Sequence, residues 1–502
     1  MTAAHFSAAE ADEVDPLAAS SATPRKQTIP RMRPRTLIIA FSICVGVVQL
    51  AFLALRFKVT GVEYYRLVRT QQLANFEFIM CIVSYFLWRR LTHASAKVCF
   101  PKCILENGSH AVIPFGNRWR QICLADICKS LITLFLLLSH VSFFFYYAWL
   151  GQEPNVLALL SLTAVGTYLH VFIFILISEL FHHISRFYRN SRFYREFCCG
   201  PVVSWLAANR DTMTLFAAVS ALIVALGGVL TTVADPVITH VSIPLNNMPP
   251  GAAHPLRIAL LSDIHIGPTV GKRRIERIAS LTNELNPDVI AISGDLADGF
   301  LTNLKEAAGP LCSLKANYGV YFATGNHEYM HGNVEEWFGF LRGCDITVLH
   351  NENHRVETGQ DNVTLCIAGT DDLYAAKAHI AGHGMDAQKA LQGCQPSDVR
   401  VLLAHQPNAA AAVIKSKQSK DVDLILSGHT HAGQFYMFAP IVYAVNAFTH
   451  GLYYDRSTDT HVMVSAGVNF FGPPIKMFGT CEIIDITLTP RVSRPDRTNG
   501  RV

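Results

Sequence analysis

Five short polar clusters in the second half of this 502-residue chain each follow an apolar run: Asp263-Ile264-His265, Gly294-Asp295, Gly325-Asn326-His327-Glu328, Ala404-His405 and Gly428-His429-Thr430-His431. Carboxylate, amide oxygen and imidazole are donors for borderline or hard divalent cations such as manganese, iron or zinc. The thiolates that would favour structural zinc or copper are missing from these clusters. Residues two apart on an extended chain point to one side, so Asp263 and His265 can face one centre, as can His429 and His431, without bending the backbone. The glycines at 294, 325 and 428 suit a strand that leaves into a tight loop, where a positive φ and close approach to an ion cost glycine least. A lone histidine or aspartate of this kind is as well explained by core packing or capping. The ordered series is what points to metal chemistry.

The elements that must position these side chains are strand-like runs: Arg257–Ser262, Val289–Ser293, Val320–Ala323, Val401–Ala404, Leu424–Ser427 and Val462–Ser465. They alternate with helical patterns such as Lys272–Leu285 and Asn408–Lys415. Interleaving of this kind argues an α/β domain. Such folds present ligands beyond the carboxyl ends of their strands, where the clusters lie.

The series D-x-H, G-D, G-N-H-E, H, G-H-x-H resembles the calcineurin-like metallophosphoesterase superfamily over residues 256–488. The resemblance implies a four-layered αββα sandwich with two divalent cations. Carried over by position, Asp263, His265 and His431 would hold one metal, Asn326, His405 and His429 the other, and Asp295 would bridge them. A bridging carboxylate offsets the repulsion of two dications held about 3.5–4 Å apart. His327 would lie beside the phosphate as a proton donor, with an acid such as Asp263 able to orient it. The implied reaction is phosphoester hydrolysis by metal-activated water. Ala432 departs from the pattern, since the membrane-linked branch of the superfamily often has glycine there. Two other classes compete: a membrane receptor or scaffold that keeps the fold without catalysis, and a transporter with a regulatory head. A complete donor set argues against the first. The second would need paired or polar-lined helices, which the sequence does not display.

The first half of the chain is of another kind. Half of all residues are hydrophobic, only 16% are charged, and the mean hydropathy is +0.26. This balance implies a multi-pass membrane region over 36–233, with helices expected at 36–55, 73–88, 131–150, 156–180 and 213–233. The run at 73–88 is the shortest and carries Glu77. A disordered cytosolic tail is expected at 1–35, a proline-rich linker at 234–255 and a second tail at 489–502. Lys and Arg cluster in the tail, the 89–129 loop and the 182–211 segment, which places the catalytic domain on the lumenal or extracellular side. The net charge of +4 is small and its basic residues lie between apolar runs, so no nucleic-acid binding is expected.

Among 13 cysteines, five fall in the catalytic half (Cys312, Cys344, Cys366, Cys394, Cys481), an odd number whose pairing the sequence does not assign. A sequon stands at Asn362 on the side expected to face outward, and another at Asn107 in a loop expected to face inward. A short tether near a bilayer makes a lipid or lipid-linked phosphoester a natural substrate. The apolar stretch Phe435–Ile441 could be a lip dipping into the interface, although core packing explains it as well. Phe470 and Phe471 invite the same two readings.

Overall fold

The computed structural model describes residues 34–99, 124–146, 155–189, 200–249, 255–359, 363–416 and 421–491. Nearly all of the tails expected at 1–35 and 489–502, and both Asn107 and Asn362, lie outside the described residues.

Helix α1 (Pro34–Arg56) is a 23-residue apolar helix. The further membrane-region helices are α2 (Gly61–Cys99), α3 (Leu124–Val141), α4 (Val156–Arg189), α5 (Gly200–Ala208) and α6 (Arg210–Val233). Four stretches among the described residues are long and apolar enough to cross a membrane: Ile39–Arg56, Leu124–Phe145, Val156–Tyr188 and Arg210–Val233. The expected segment 73–88 is not among them. It lies inside the 39-residue α2, whose charged and polar residues lower its apolarity. α1, α2, α4 and α6 overrun the apolar runs that announced them because each added residue gains a backbone hydrogen bond whatever its side chain, whereas α3 starts ahead of the run expected at 131–150 and ends at Val141.

α2 packs Met80, Leu87 and Leu91 against Leu162, Tyr168 and Ile175 of α4 and Ala217 and Ala221 of α6. Toward the other end of α2, Arg90 lies 2.8 Å from Glu179 and 3.1 Å from Asp211. Arg210 and Lys97 complete this network at 2.6 Å and 2.9 Å from the same two carboxylates. Each desolvated acid thus meets two cations, the arrangement a buried charge requires.

Among the described residues the carboxy-terminal half has twelve strands: β1 (Val237–Leu245), β2 (Leu256–Leu261), β3 (Val289–Ser293), β4 (Val320–Ala323), β5 (Ile346–Val348), β6 (Glu352–Glu357), β7 (Thr364–Gly369), β8 (Val399–Leu403), β9 (Leu424–Ser427), β10 (Gly451–Asp455), β11 (Thr460–Val464) and β12 (Glu482–Pro490). They form two six-stranded sheets, in the orders β1-β12-β2-β3-β4-β5 and β10-β11-β9-β8-β7-β6. The period of two along each strand builds the layers. Ile258, Leu260, Val289 and Ala291 face Leu365, Ile367, Val401 and Leu403 between the sheets. Their neighbours Ala259, Leu261, Ile290 and Ile292 face outward onto helices, including α7 (Lys272–Glu284) through Ile275 and Ile278. On the far side, Leu402, Ile425 and Val462 pack on Ala409, Ala410 and Val413. The result is the expected αββα sandwich. Two disulfides, Cys312–Cys344 and Cys366–Cys394, cross-link it, the second anchored on β7, and Cys481 is a buried free thiol.

The expected linker at 234–255 is corrected by the structure. Only three residues separate Val233 of α6 from Val237 of β1, and β1 pairs in parallel with β12 from Val237↔Glu482 to Leu245↔Pro490. Its proline is tolerated because β1 is an edge strand, where a missing N–H leaves no ladder partner waiting.

The sandwich is seated on the helices. Ile475 wedges between α4 and α6: a Cβ placed on Gly166 or Gly228 would come within 2.8 Å or 2.5 Å of its side chain. Lys476 N donates to Gly228 O at 3.2 Å, and Thr232 Oγ1 to Pro474 O at 2.9 Å. Phe435 is buried with Ala225 and Ile475, edge-on to His170 of α4 at 5.2 Å. The two readings of Phe435–Ile441 therefore divide: Phe435 packs, against membrane-region helices, whereas Tyr436 and Ile441 remain 57% and 61% exposed.

Candidate metal centre

Asp263 follows β2, Asp295 follows β3, Asn326 and His327 follow β4, His405 follows β8, and His429 and His431 follow β9. The parallel neighbours β2, β3 and β4, and likewise β8 and β9, bring their carboxyl ends together. Backbone bonds then stitch the loops: Asp263 N donates to Gly294 O, His265 N to Asp295 O, and Gly428 N to His405 O.

The paired ligands do not reach one side along an extended chain. Asp263, His265, Asp295, His429 and His431 all take positive φ, between 48° and 70°. Left-handed conformations cost a non-glycine residue on the order of 1 kcal/mol or more each, and they persist only where the surroundings over-determine them. Ala432 also takes positive φ (52°), a conformation that glycine adopts at least cost. Of the three strand-end glycines, Gly294 has positive φ (77°). Gly325 and Gly428 are needed for space. A Cβ at 325 would stand 2.2 Å from Asp295 Oδ1, and one at 428 would stand 1.8 Å from Ser262 Oγ.

The donor atoms of Asp263, His265 and His431 lie within 4.8 Å of one another, as do those of Asp295, His405 and His429. His431 Nε2 is 3.0 Å from His265 Nε2 and 3.2 Å from Asp263 Oδ1. In the second group His405 Nε2 is 3.1 Å from Asp295 Oδ2. That Asp295 oxygen is also 3.9 Å from His265 Nε2 and from His327 Nε2, between the two groups. Asn326 Oδ1 and His405 Nε2 are buried and accept no hydrogen bond. Buried polar atoms are rarely left so unless something absent from the protein completes them. The donor chemistry, the convergence and these orphaned atoms fit divalent cations.

His327 is oriented by a residue that the sequence did not single out. Its Nδ1 lies 2.7 Å from Asp298 Oδ1, not beside Asp263, so Nε2 turns toward the centre. The same carboxylate oxygen accepts from His265 Nδ1 at 2.9 Å. Glu328 accepts from the backbone N–H groups of Gly325, Asp295 and Leu296 and locks the two loops together. Lys476, fully buried, donates to the carbonyls of Ala466, Gly467 and Asn469. It thereby shapes the loop whose Gly467 abuts Asp263, where a Cβ would stand 2.7 Å from that side chain. Phe471 is 42% exposed, with its ring 4.8 Å from His327 and 5.5 Å from His265, whereas Phe470 is core. No local motif marks Asp298 or Lys476; only the fold assembles them at the site.

The electrostatics follow from burial among opposed charges. Burial opposes ionisation of Asp295, yet His405, His327 and His265 hold its carboxyl well below the usual range. Asp298 is held low against burial in the same way, by His265 and His327. For His327, burial works against the imidazolium, but Asp295 and Asp298 push it up to about 9. Burial, with Asp295 nearby, raises Glu328 to about 7.

The family profile for calcineurin-like phosphoesterases matches residues 256–433. A provisionally named metallophosphoesterase of Caenorhabditis elegans is 47% identical over 468 residues, covering 89% of this chain and 95% of the relative. The transmembrane protein with metallophosphoesterase domain of Danio rerio is 36% identical over 426 residues, covering 84% and 90%. Its Bos taurus namesake is 36% identical over 369 residues, covering 72% and 81%. Sandwich, donor groups and relatives agree, and the chain belongs to the calcineurin-like metallophosphoesterase family, resembling its transmembrane members well beyond residues 256–433.

Proposed function

We propose that this protein is a membrane-anchored phosphohydrolase with a dinuclear metal centre, acting on a lipid or lipid-linked phosphoester. The observation that carries the reading is the pair of donor groups with Asp295 between them and His327 Nε2 turned toward the same point. Asp263, His265 and His431 would hold one cation, Asn326, His405 and His429 the other, with Asp295 placed to serve both. When bound, the cations supply Lewis acidity and an activated water. His327 donates its Nε2 proton to a phosphoryl oxygen or to the leaving group, and Asp298 keeps the ring in that orientation. Phe471 walls the same face and limits water there.

Membrane presentation of substrate is supported by the seating of the sandwich on α4 and α6 and by the exposed apolar side chains of Tyr436 and Ile441 beside it. We further propose five crossings, with α2 as the additional one, and a lumenal or extracellular catalytic domain. The two disulfides support that side, because such bonds persist in oxidising compartments.

The test is hydrolysis of a generic phosphodiester by the purified full-length chain, with and without manganese, iron or zinc. Metal-dependent turnover that chelation abolishes is expected. Tight binding of two metals without turnover on any phosphoester would favour the receptor or scaffold instead.

A further inference from the structure

Away from the candidate metal centre, another pair of imidazoles closes on a buried carboxylate. His350 stands two residues past β5 of the first sheet, and Asp371 two residues past β7 of the second. His383 comes from the loop between the short helices Ala375–Ala378 and Ala387–Ala390. One donor atom of each lies within 4.8 Å of the others. The side chains of Asp371 and His383 are 0% and 3% exposed, so that carboxylate must be met from within the protein. His350, at 21%, leaves an ion a way in.

The ring of His383 shows what the group is built for. Its Nε2 is 2.9 Å from Glu335 Oε1 and donates there, which leaves Nδ1 of the neutral ring an acceptor. That nitrogen faces Asp371 Oδ2 at 3.7 Å, acceptor against acceptor and beyond hydrogen-bond range. The Tyr329 hydroxyl, 3.2 Å from it, can turn instead to Thr324 Oγ1 at 3.3 Å. On the other side of the carboxylate, His350 Nδ1 is 2.6 Å from Asp371 Oδ1. Ligands about 2.0–2.1 Å from a tetrahedral zinc stand about 3.3 Å apart. The separations of 2.6 and 3.7 Å bracket that value. An acid behind a ligating histidine, as Glu335 is here, fixes the tautomer and the ring for a metal.

The loops are held in register by other contacts. Asn351 Oδ1 accepts from Asp371 N at 3.0 Å and from Asp386 N at 2.9 Å, and its Nδ2 donates to Gly384 O at 2.8 Å. Gly384 N donates in turn to Asp371 Oδ2 at 2.9 Å.

We propose that His350 Nδ1, His383 Nδ1 and the Asp371 carboxylate bind a further divalent cation of the zinc class, which staples the edge of the first sheet to the second. Two imidazoles and a carboxylate suit zinc, and with three protein ligands the fourth position falls to water. The staple backs the loops of the candidate metal centre. Tyr329 shares the five-residue helix Asn326–Met330 with Asn326 and His327. Asp372, beside Asp371, accepts from Gln406, the neighbour of His405.

The test counts zinc on the full-length chain in detergent, stripped with a chelator and reloaded, by metal analysis after gel filtration and by calorimetry. Neither measurement reads turnover. The wild type is expected to hold three zinc ions, His350→Ala/His383→Ala two, and Asp295→Ala/His405→Ala at least the one at His350 and His383. Cobalt in that last variant should give the strong visible absorption of a four-coordinate ion, and adding His383→Ala should abolish it. Glu335→Gln should weaken the same ion by about tenfold, the cost of losing a group that orients a ligand. A count that His350→Ala/His383→Ala leaves unchanged would reduce the group to a hydrogen-bonded triad and overturn the proposal. Should that variant fail to fold, His383→Gln, which keeps a donor toward Glu335, decides by the same count. A single zinc that is lost with His383 and indifferent to Asp295 would overturn the dinuclear reading and leave the staple standing.

Discussion

Asp298 stands where two imidazoles need the same favour: it accepts from His265, proposed above as a metal ligand, and orients His327, the proposed proton donor. Its loss should therefore be felt twice. Asp298→Asn is expected to lower turnover by about 10–100-fold, the usual cost of losing the group that orients a ligand histidine, with partial loss of metal. His327→Ala should keep nearly full metal content while turnover falls by about 10² to 10⁴. Asp295→Ala should lose both. Metal analysis of the purified variants beside steady-state rates separates the three, and equal metal loss in all of them would refute the division of roles.

At the scale of elements, the centre is a set of strand ends held in place by loops that carry their own strain. Gly428 and Lys476 show how narrow the tolerance is. Gly428→Ala puts a methyl 1.8 Å from Ser262 Oγ, so thermal denaturation should reveal destabilisation together with a reduced metal load. Lys476→Met should cost about 3 kcal/mol or more, because three buried carbonyls lose one charged donor. A wild-type melting temperature in Lys476→Met would contradict that account.

The converging donor groups were legible in sequence because each donor follows an apolar strand, a pattern that needs only period and residue type. Asp298 was not, since an aspartate three residues past Asp295 looks like any loop acid until the fold brings Asp298 against His327 and His265. The left-handed turns at Asp263 and His429 were hidden for a related reason: a two-residue spacing is the same in a strand and in a kinked loop. Strand β1 was obscured by Pro244, which discourages a strand in general but not at a sheet edge.

For the whole molecule, the lumenal or extracellular side proposed for the metallophosphoesterase domain rests on two independent kinds of physics, redox and charge. In sealed vesicles that keep the native orientation, Cys312, Cys344, Cys366 and Cys394 should resist alkylation until a reductant is added, whereas Cys481 stays shielded by burial until denaturation. Ready alkylation of all four without reductant would place the catalytic domain in the cytosol. The seating on the helices is testable separately. Gly228→Val would force a side chain into Ile475 and should loosen the two halves, read as faster proteolysis near Val233.

The three-residue connection between α6 and β1 has a kinetic consequence. Fully extended it spans about 10 Å, so the catalytic domain has no leash on which to search the surrounding volume. A lipid phosphohydrolase of the proposed kind, held that way, would meet its substrate by lateral diffusion in two dimensions. Its turnover should follow the surface density of substrate in its own leaflet and ignore how much bulk lipid is present.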